Sequence, residues 1–334
     1  MTGEPLVARR RMLALGAVAI VALVCLGKFS PAMAQSYPVK PIRLIIGFPP
    51  GGPNDLIGRI LGAKLAELLK ATVVVDNRPG SNSEIAAAIV AKASPDGYTL
   101  LFGSTGALAV SPSLQDKLPY DPRKDFAPIA LVASNPMLLV VRQGLAARNV
   151  AELIALARAN PGRLNYASAG AGSPTHLAAE LFKSMAHIDA VHVPYKGGGP
   201  ALIDLIAGQV DFYFGGLATA LPQVKSGKLR ALGITSSGRS AVAPGVPSID
   251  EAGLPNYEAT IWYGILAPAK TPPQVISQLE TASIEAVRAP DVRSRLLEQG
   301  ADPLEMKSEQ FAKFIQSEIV KWAAVVKATG ATAN

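Results

Sequence analysis

Two loops of similar composition offer backbone N–H groups, rather than charged side chains, as their chemistry. FPPGGPND covers residues 48–55 and AGAGSPT covers residues 169–175, and each stands between an apolar run and a helical pattern. Glycines let a ligand approach the backbone, and the proline suits the first turn of a helix. Free N–H groups at a helix N-terminus, with the helix dipole behind them, bind an anion. The loops therefore predict a site for an anionic small molecule. Each loop would bind one end of the molecule, or both would bind one carboxylate.

Phosphate-loop chemistry fits these loops poorly. Neither contains the Gly-Lys-Ser/Thr that closes a Walker A loop, and G-x-G-x-x-G is absent from residues 47–58. A plain strand-to-helix turn is the structural alternative for each loop. Arg59 and Lys64 lie beyond the first turn of the following helix and are expected to be dispensable for binding.

The histidines and serines give little support to catalysis. His176 follows Ser173 by three residues, in the first turn of a helix, and is interpreted as a capping or lining residue rather than a base. Ser104 in FGSTG and Ser173 in AGAGSPT do not fit the G-x-S-x-G nucleophile elbow. Three histidines without metal-ligand spacing predict no zinc site, so neither a metal nor a cofactor is expected.

The elements that position the loops alternate between strand and helix, which is typical of a parallel sheet covered on both faces. In the first half, Ile42–Phe48, Thr72–Val75 and Tyr98–Gly103 are predicted strands. Ligands of such domains bind at the carboxyl ends of the strands, where the first loop stands.

The same alternation restarts after residue 149. Strands are predicted at Leu164–Ser168, His192–Tyr195, Val210–Gly215 and Leu229–Ser236, with helices at Pro200–Gly208 and Leu221–Ser226 and a last helix from Ser308 to about Ala328. Three helix starts are predicted from capping pairs: Ser81 with Glu84, Asn149 with Glu152, and Thr271 with Gln274.

The N-terminus is typical of a secretory signal peptide. Arg9–Arg11 precede an apolar stretch, Met12–Leu26, which is too short to span a bilayer, and Ala32-Met33-Ala34 is a small-x-small cleavage site. Cleavage after Ala34 is predicted, by the general or the twin-arginine route, with the product in the periplasm. It removes four basic residues and one acidic residue, so the net charge falls from +7 to +4. The only cysteine is lost, and no block of like charge indicates nucleic-acid binding.

Several blocks of sequence, occurring together and in order, resemble the Bug family, the periplasmic solute receptors of tripartite tricarboxylate transporters. They include YPVKPIRLIIGFPPGGPND, VVVDNRPGSN, SPDGYTLLFGSTG, LNYASAGAGSPTHLAAELF, VHVPYKGGGPALIDLIAGQVDF and VPSIDEAGLPNYEATIWYGILAPA. The resemblance runs from Tyr37 to about Lys327. It implies a two-lobed, type II-like periplasmic-binding-protein fold of the α/β class, in which each lobe is a doubly wound, mostly parallel sheet flanked by helices. Lobe 1 is expected to comprise residues 35–136 and 262–334, and lobe 2 residues 137–261.

The resemblance also implies that the two loops hold a carboxylate, partly through water, with the 104–106 segment beside them. One position departs from the family: Phe214-Gly215-Gly216 stands where many relatives have Phe-Asp-Asn, which favours a bulkier or purely carboxylic ligand. The expected ligand-binding residues are Phe48, Pro50, Gly51, Gly52, Asn54, Asp55, Ser104, Thr105, Gly106, Ser168, Gly170, Gly172, Ser173, Thr175, His176 and Gly215.

The expected function is capture of a small carboxylate, namely a di- or tricarboxylate or an aromatic acid, and its delivery to the membrane components of the transporter. The chain is expected to be a monomeric receptor rather than an enzyme. An exported serine hydrolase acting on a small carboxylated substrate is the alternative. Two crossings between the lobes, near Asn135–Val141 and Trp262–Ala267, are expected to act as a hinge.

Overall fold

The structure is a computed structural model that describes residues 37–115 and 117–329. The predicted signal peptide, residues 1–34, lies outside the described residues. The chain divides into an N-terminal unit, Met1–Val39, of which only residues 37–39 are described, and a main body from Lys40 onward, which holds every element below. Within the described ranges, no helix is both long enough and apolar enough to cross a bilayer.

The strands of the main body are short and mostly buried. In the part of the chain that the structure describes they are β1 (Ile42–Ile46), β2 (Val73–Asn77), β3 (Thr99–Ser104), β4 (Phe126–Asn135), β5 (Met137–Arg142), β6 (Asn165–Ser168), β7 (Val191–Pro194), β8 (Phe212–Gly216), β9 (Leu229–Ile234), β10 (Ile261–Pro268) and β11 (Asp302–Lys307).

The helices cover the faces of the sheets. They are α1 (Pro53–Leu69), α2 (Glu84–Ala91), α3 (Ser111–Leu114), α4 (Val150–Ala159), α5 (Pro174–Ala186), α6 (Gly198–Ala207), α7 (Leu217–Lys225), α8 (Pro273–Arg288), α9 (Pro290–Glu298) and α10 (Ser308–Thr329), and a 3₁₀ turn (Ser81–Ser83) and a π turn (Gly106–Val110) precede α2 and α3.

The strands form two sheets with the same internal order. The first sheet runs β2–β1–β3–β10–β4–β11, and the second runs β7–β6–β8–β5–β9. In each sheet, the strand that follows a crossing from the other lobe lies inside the sheet. In the first sheet this strand is β10, next to β3, and in the second it is β5, next to β8. We call the part of the chain built on the first sheet lobe 1 and the part built on the second lobe 2.

Each sheet is mixed. β1 pairs in parallel with β2 and β3, and β6 pairs in parallel with β7 and β8, as the alternation of strand and helix predicts. The crossing strands run the other way, since β10 is antiparallel to β3 and β4 and β5 is antiparallel to β8 and β9. The antiparallel share is therefore larger than the sequence pattern indicates, because a strand that enters a sheet from the other lobe need not follow a helical crossover.

The crossings are where the expected hinge would lie. A single residue, Pro136, separates β4 of lobe 1 from β5 of lobe 2, and residues 235–260 lead from β9 back to β10. The domain boundaries expected from the sequence, after residues 136 and 261, fall at these two places and remain a prediction about where the lobes move apart.

Two of the three predicted capping pairs are wrong. Ser81 does not cap α2, because Ser81, Asn82 and Ser83 have φ angles of +44°, +49° and +75° and form a left-handed turn before it. Thr271 does not cap α8, since its hydroxyl donates to Pro268 O at 2.8 Å.

The third pair is confirmed. Asn149 Oδ1 accepts the N–H of Glu152 at 2.8 Å at the start of α4.

Candidate functional site

The loop at residues 48–55 is held in shape by one buried carboxylate. Asp55, 2% exposed, accepts the N–H of Gly51 at 2.9 Å, the Nε–H of Arg59 at 2.9 Å and the Nδ2–H of Asn77 at 2.8 Å. Burial opposes ionisation of Asp55, but these hydrogen bonds and the charge of Arg59 hold its pKa below the usual range. Asp55 and Arg59 thus position the loop, and the N–H of Gly51 is already in use.

The N-terminus of α1 is left open. Its N-cap is Gly52, with φ −82° and ψ 168°, and no side chain caps it; Pro53 follows as the first helical residue. Among the described residues, the N–H groups of Asn54 and Asp55 have no hydrogen-bond partner. These donors, at the start of a 17-residue helix, stand where the loop composition predicts that an anion binds.

The second loop uses most of its N–H groups internally. Ala169 N donates to Thr175 Oγ1 at 2.8 Å, and Gly170 N donates to Ser168 Oγ at 3.1 Å. Gly172 N donates to His176 Nδ1 at 3.1 Å, and the predicted cap is present, with Ser173 Oγ accepting the N–H of His176 at 3.3 Å. This loop therefore offers a ligand fewer donors than the first.

A stack of aromatic rings supports the second loop from behind. The rings of His176 and His192 lie parallel, with centroids 4.0 Å apart, and the nearly parallel Tyr166 ring lies 4.9 Å from His192 and 6.4 Å from His176. Burial lowers the pKa of both histidines, that of His192 to about 4 with a further contribution from His176. His176 is therefore neutral, with Nδ1 accepting from the backbone, which is a positioning role rather than that of a base.

Ser168 and His192 form a pair that resembles a nucleophile and its base. Ser168 Oγ lies 2.6 Å from His192 Nε2. Ser168 is fully buried, however, and it does not line the cavity described next. The pair is placed to fix the loop rather than to attack a substrate.

Between the two lobes lies a cavity of about 280 Å³. Its lining comes from both lobes and from the last helix: Phe48, Pro53, Asn54, Asn82, Ser104, Thr105, Gly106, Val110, Met137, Gly172, Pro174, Leu177, Ala259, Thr260, Ile261, Tyr263 and Trp322. Of the residues that the sequence singled out, the cavity is lined by Phe48, Asn54, Ser104, Thr105, Gly106 and Gly172. The others, which lie in the loops behind it or away from it, are Pro50, Gly51, Gly52, Asp55, Ser168, Gly170, Ser173, Thr175, His176 and Gly215.

Gly215 is placed differently from the sequence-based expectation. It does not line the cavity, and a side chain on it would meet the Tyr213 ring at 3.0 Å and Ala220 Cβ at 3.1 Å. The small size of Gly215 is used for packing within lobe 2, and the effect of Gly215-Gly216 on ligand choice stays a prediction.

Several polar groups of lobe 1 face the cavity without partners. Ser104 on β3 and Tyr263 on β10 are register partners, 3% and 2% exposed, and neither hydroxyl makes a hydrogen bond within the described chain. Asn54 Oδ1 is also buried without a partner. The hydroxyl of Thr105 is different, since it accepts from Trp262 N at 2.8 Å and donates to Thr260 O at 3.3 Å.

Asn82 is a lining residue that the sequence reading missed. It is the middle residue of the left-handed turn at 81–83 and packs on Gly106, where a Cβ would lie 2.5 Å from Asn82 Oδ1. Three successive left-handed residues other than glycine are costly, and such conformations cluster at functional sites. The only feature of the sequence that could have indicated a role for Asn82 is the Gly80-Ser81-Asn82 run, and this run is equally typical of a plain turn.

Tyr263 and Trp322 were also missed, because they reach the cavity from strand β10 and helix α10, far along the chain. Trp322 Nε1 donates to Glu318 Oε2 at 3.0 Å, and Trp262 Nε1 donates to the same oxygen at 2.8 Å. Glu318, 3% exposed, is further paired with Lys321. Since its N–H is engaged, Trp322 has only ring surface to offer to the cavity.

No side chain that lines the cavity carries a charge. Within the described ranges, no group of three or more His, Cys, Asp or Glu residues is arranged to hold a metal ion. The site can therefore recognise a ligand by neutral hydrogen bonds, a helix N-terminus and apolar contact.

Known proteins are similar to this chain in sequence and in fold. The family described as the tripartite tricarboxylate transporter family receptor, TctC, matches residues 57–331. Protein BugT of Bordetella pertussis (strain Tohama I) is 39% identical over 306 residues, which are 91% of this chain and 94% of BugT.

Two solved structures are similar over most of the chain. The structure of R. palustris Rpa4515 with adipate is 34% identical, with a TM-score of 0.71, and the match covers 89% of this chain and 99% of that one. MatC (Rpa3494) from Rhodopseudomonas palustris with bound malate is 35% identical, with a TM-score of 0.67, covering 87% and 100%. The resemblance noted in the sequence and the two-lobed periplasmic-binding-protein fold are thereby confirmed.

Proposed function

The chain belongs to the tripartite tricarboxylate transporter receptor family, and we propose that it captures a small carboxylate between its lobes and delivers it to the membrane components of such a transporter. The observation that carries the proposal is the open N-terminus of α1 beside a cavity lined by uncharged side chains. Its unpartnered N–H groups, at Asn54 and Asp55, supply the positive potential that a carboxylate requires.

The relatives support the ligand class. Among the related structures, Rpa4515 is with adipate and MatC is with bound malate, and both ligands are carboxylates. For this chain we propose export to the periplasm with cleavage after Ala34, and action as a monomer.

Thermal unfolding and calorimetry of the mature chain test the proposal. A carboxylate from a panel that includes hexanoate, adipate and malate should raise the melting temperature and bind with one molecule per chain, while the matching amides should not. Equal binding of an acid and its amide would overturn carboxylate recognition. Recovery of the bound acid unchanged after prolonged incubation is expected of a receptor, whereas conversion of the acid would favour the hydrolase alternative.

Delivery to a transporter needs its own measurement. Uptake of the radiolabelled ligand by whole cells should fall when the gene for this chain is deleted. It should return with the intact chain but not with a chain that lacks residues 1–34, because export is required. Uptake that is independent of the receptor would contradict the transport role while leaving carboxylate binding intact.

A further inference from the structure

The distribution of polar groups around the cavity narrows the ligand class. We propose that the site, taken as the carboxylate receptor proposed above, holds an acid with a single carboxylate, whose charged end is bound by lobe 1 and whose apolar body lies against lobe 2 and the last helix. Asn82 is proposed as one of the groups that contact the carboxylate end.

Most of the hydrogen-bond donors around the cavity belong to lobe 1. Besides the free N–H groups at the start of α1, the hydroxyls of Ser104 and Tyr263 and the amides of Asn54 and Asn82 belong to lobe 1. Ser104 and Tyr263 are almost fully buried as residues, and their hydroxyls, which make no hydrogen bond within the described chain, can donate to a ligand in the cavity. A half-turn of the Asn54 amide would place its NH₂ group where the unpartnered oxygen now stands.

The facing side offers little to a second carboxylate. Lobe 2 contributes Met137, Gly172, Pro174 and Leu177 to the lining, and the N–H of Gly172 already donates to His176. Of the remaining lining, Val110, Ala259 and Ile261 are apolar, and Thr260 adds a single hydroxyl. Because no cationic side chain lines the cavity, a second carboxylate buried there would lack a counter-charge.

The size of the cavity agrees with a small ligand. Its volume of about 280 Å³ lies just below the range of ordinary ligand pockets, which span roughly 300–1,000 Å³. A short aliphatic chain or a single ring fits this space and would pack on the ring surface of Trp322.

Asn82 has a geometry that suits a role in recognition. Its left-handed backbone and its close packing on Gly106 fix the amide beside the 104–106 segment. Asparagine tolerates this conformation better than most residues, and its NH₂ group can donate to a carboxylate without adding charge.

Hexanoate and adipate form a matched pair, because they have the same six-carbon chain and differ by one carboxylate. In calorimetry on the mature chain, hexanoate should bind at least tenfold more tightly than adipate. Affinity should rise about fourfold for each methylene from propionate to hexanoate, as burial of an apolar chain requires. Adipate binding as tightly as hexanoate, or more tightly, would overturn this inference while leaving the carboxylate receptor intact. Equal affinity for hexanoate and hexanamide would instead overturn the receptor function on which the inference rests.

Two variants test the position of Asn82. Asn82→Asp keeps the shape but places a negative charge beside the carboxylate, so it should weaken hexanoate binding at least tenfold. Asn82→Gly keeps the left-handed backbone and removes only the amide, so it should weaken binding several-fold with an unchanged or higher melting temperature. If both variants melt like the original protein and bind hexanoate equally well, Asn82 does not contact the carboxylate.

Discussion

The side-chain hydroxyl of Thr235 accepts a hydrogen bond from the backbone N–H of Met137 at 2.7 Å. The backbone completes the link, since Thr235 N donates to Met137 O at 2.9 Å and Ala259 N donates to Thr235 O at 2.9 Å. Met137 follows the first crossing between the lobes and Ala259 precedes the end of the second, and both line the cavity. A single fully buried residue thus ties together the two crossing segments beside the site.

Removing this hydroxyl should destabilise the fold. Thr235→Val preserves the shape but leaves the Met137 N–H buried without one of its partners, at a cost of about 1–3 kcal/mol in the free energy of unfolding. Thr235→Ser retains the hydroxyl, so it should lose clearly less stability than Thr235→Val. Urea unfolding followed by circular dichroism measures both, and equal stability of Thr235→Val and the original protein would contradict the role.

Arg59 should matter for binding although it does not line the cavity. Arg59→Ala removes the cation paired with Asp55, which loosens the carboxylate that holds the N–H of Gly51, and affinity for a bound acid should fall several-fold. Lys64→Ala is the matched control on the same helix, because Lys64 pairs with Glu67 and Asp291 and not with the loop. Equal affinities of the two variants in calorimetry would show that the sequence-based expectation of a dispensable Arg59 was right.

The adjacent glycines of the first loop should respond in opposite ways. Gly51 has φ +87°, so Gly51→Ala strains the backbone by roughly 1–2 kcal/mol and should lower the melting temperature. Gly52 has φ −82°, and a Cβ there would meet only Pro49 O at 3.8 Å, so Gly52→Val should melt like the original protein.

Ligand binding provides a second test of the Gly52→Val variant. Gly52 does not line the cavity but is the N-cap of α1, so the side chain of Gly52→Val should crowd the open N–H groups of Asn54 and Asp55, and this variant should fold normally and fail to bind. Normal binding by a folded Gly52→Val protein, measured by calorimetry, would place the carboxylate elsewhere.

Acid should destabilise the protein through the stacked histidines. The pKa of His192 is lowered from 6.5 to about 4 by burial and by His176, so between these values the unfolded chain binds a proton that the folded chain does not. The neutral histidine pair therefore makes its full contribution to the free energy of unfolding above about pH 6.5, and this stability is lost as the pH drops toward 4. Glu180 and Lys183, which lie beside the stack, act on His192 in opposite directions.

A variant isolates this contribution. His192→Gln removes the titrating ring, so its melting temperature should change less between pH 7 and pH 4.5 than that of the original protein. His187→Asn is the control, because His187 is exposed at the left-handed end of α5 and is not part of the ring stack. A profile that is the same in all three proteins would exclude the stack as the cause.

Local signals predicted the loops and their helices, while the cavity wall depended on long-range folding. The apolar run before Phe48 and the cap at Ser173 are encoded within a few residues, so the loops were found from composition alone. Tyr263 and Trp322 enter the site from elements more than two hundred residues beyond the first loop, and no spacing in the sequence connects them to it. The Asp55–Arg59 pair was within reach of sequence reasoning, because an acid and a base four residues apart on a helix are neighbours.

The shared carboxylate of Glu318 gives the molecule an optical reporter. The chain has two tryptophans, and both indole N–H groups donate to the same Glu318 oxygen, so their emission depends on one local environment. Trp322 lines the cavity, whereas Trp262 does not. A bound acid should therefore alter intrinsic fluorescence through Trp322, and the signal should persist in Trp262→Phe and vanish in Trp322→Phe. Titrating that emission would follow occupancy in real time without any label.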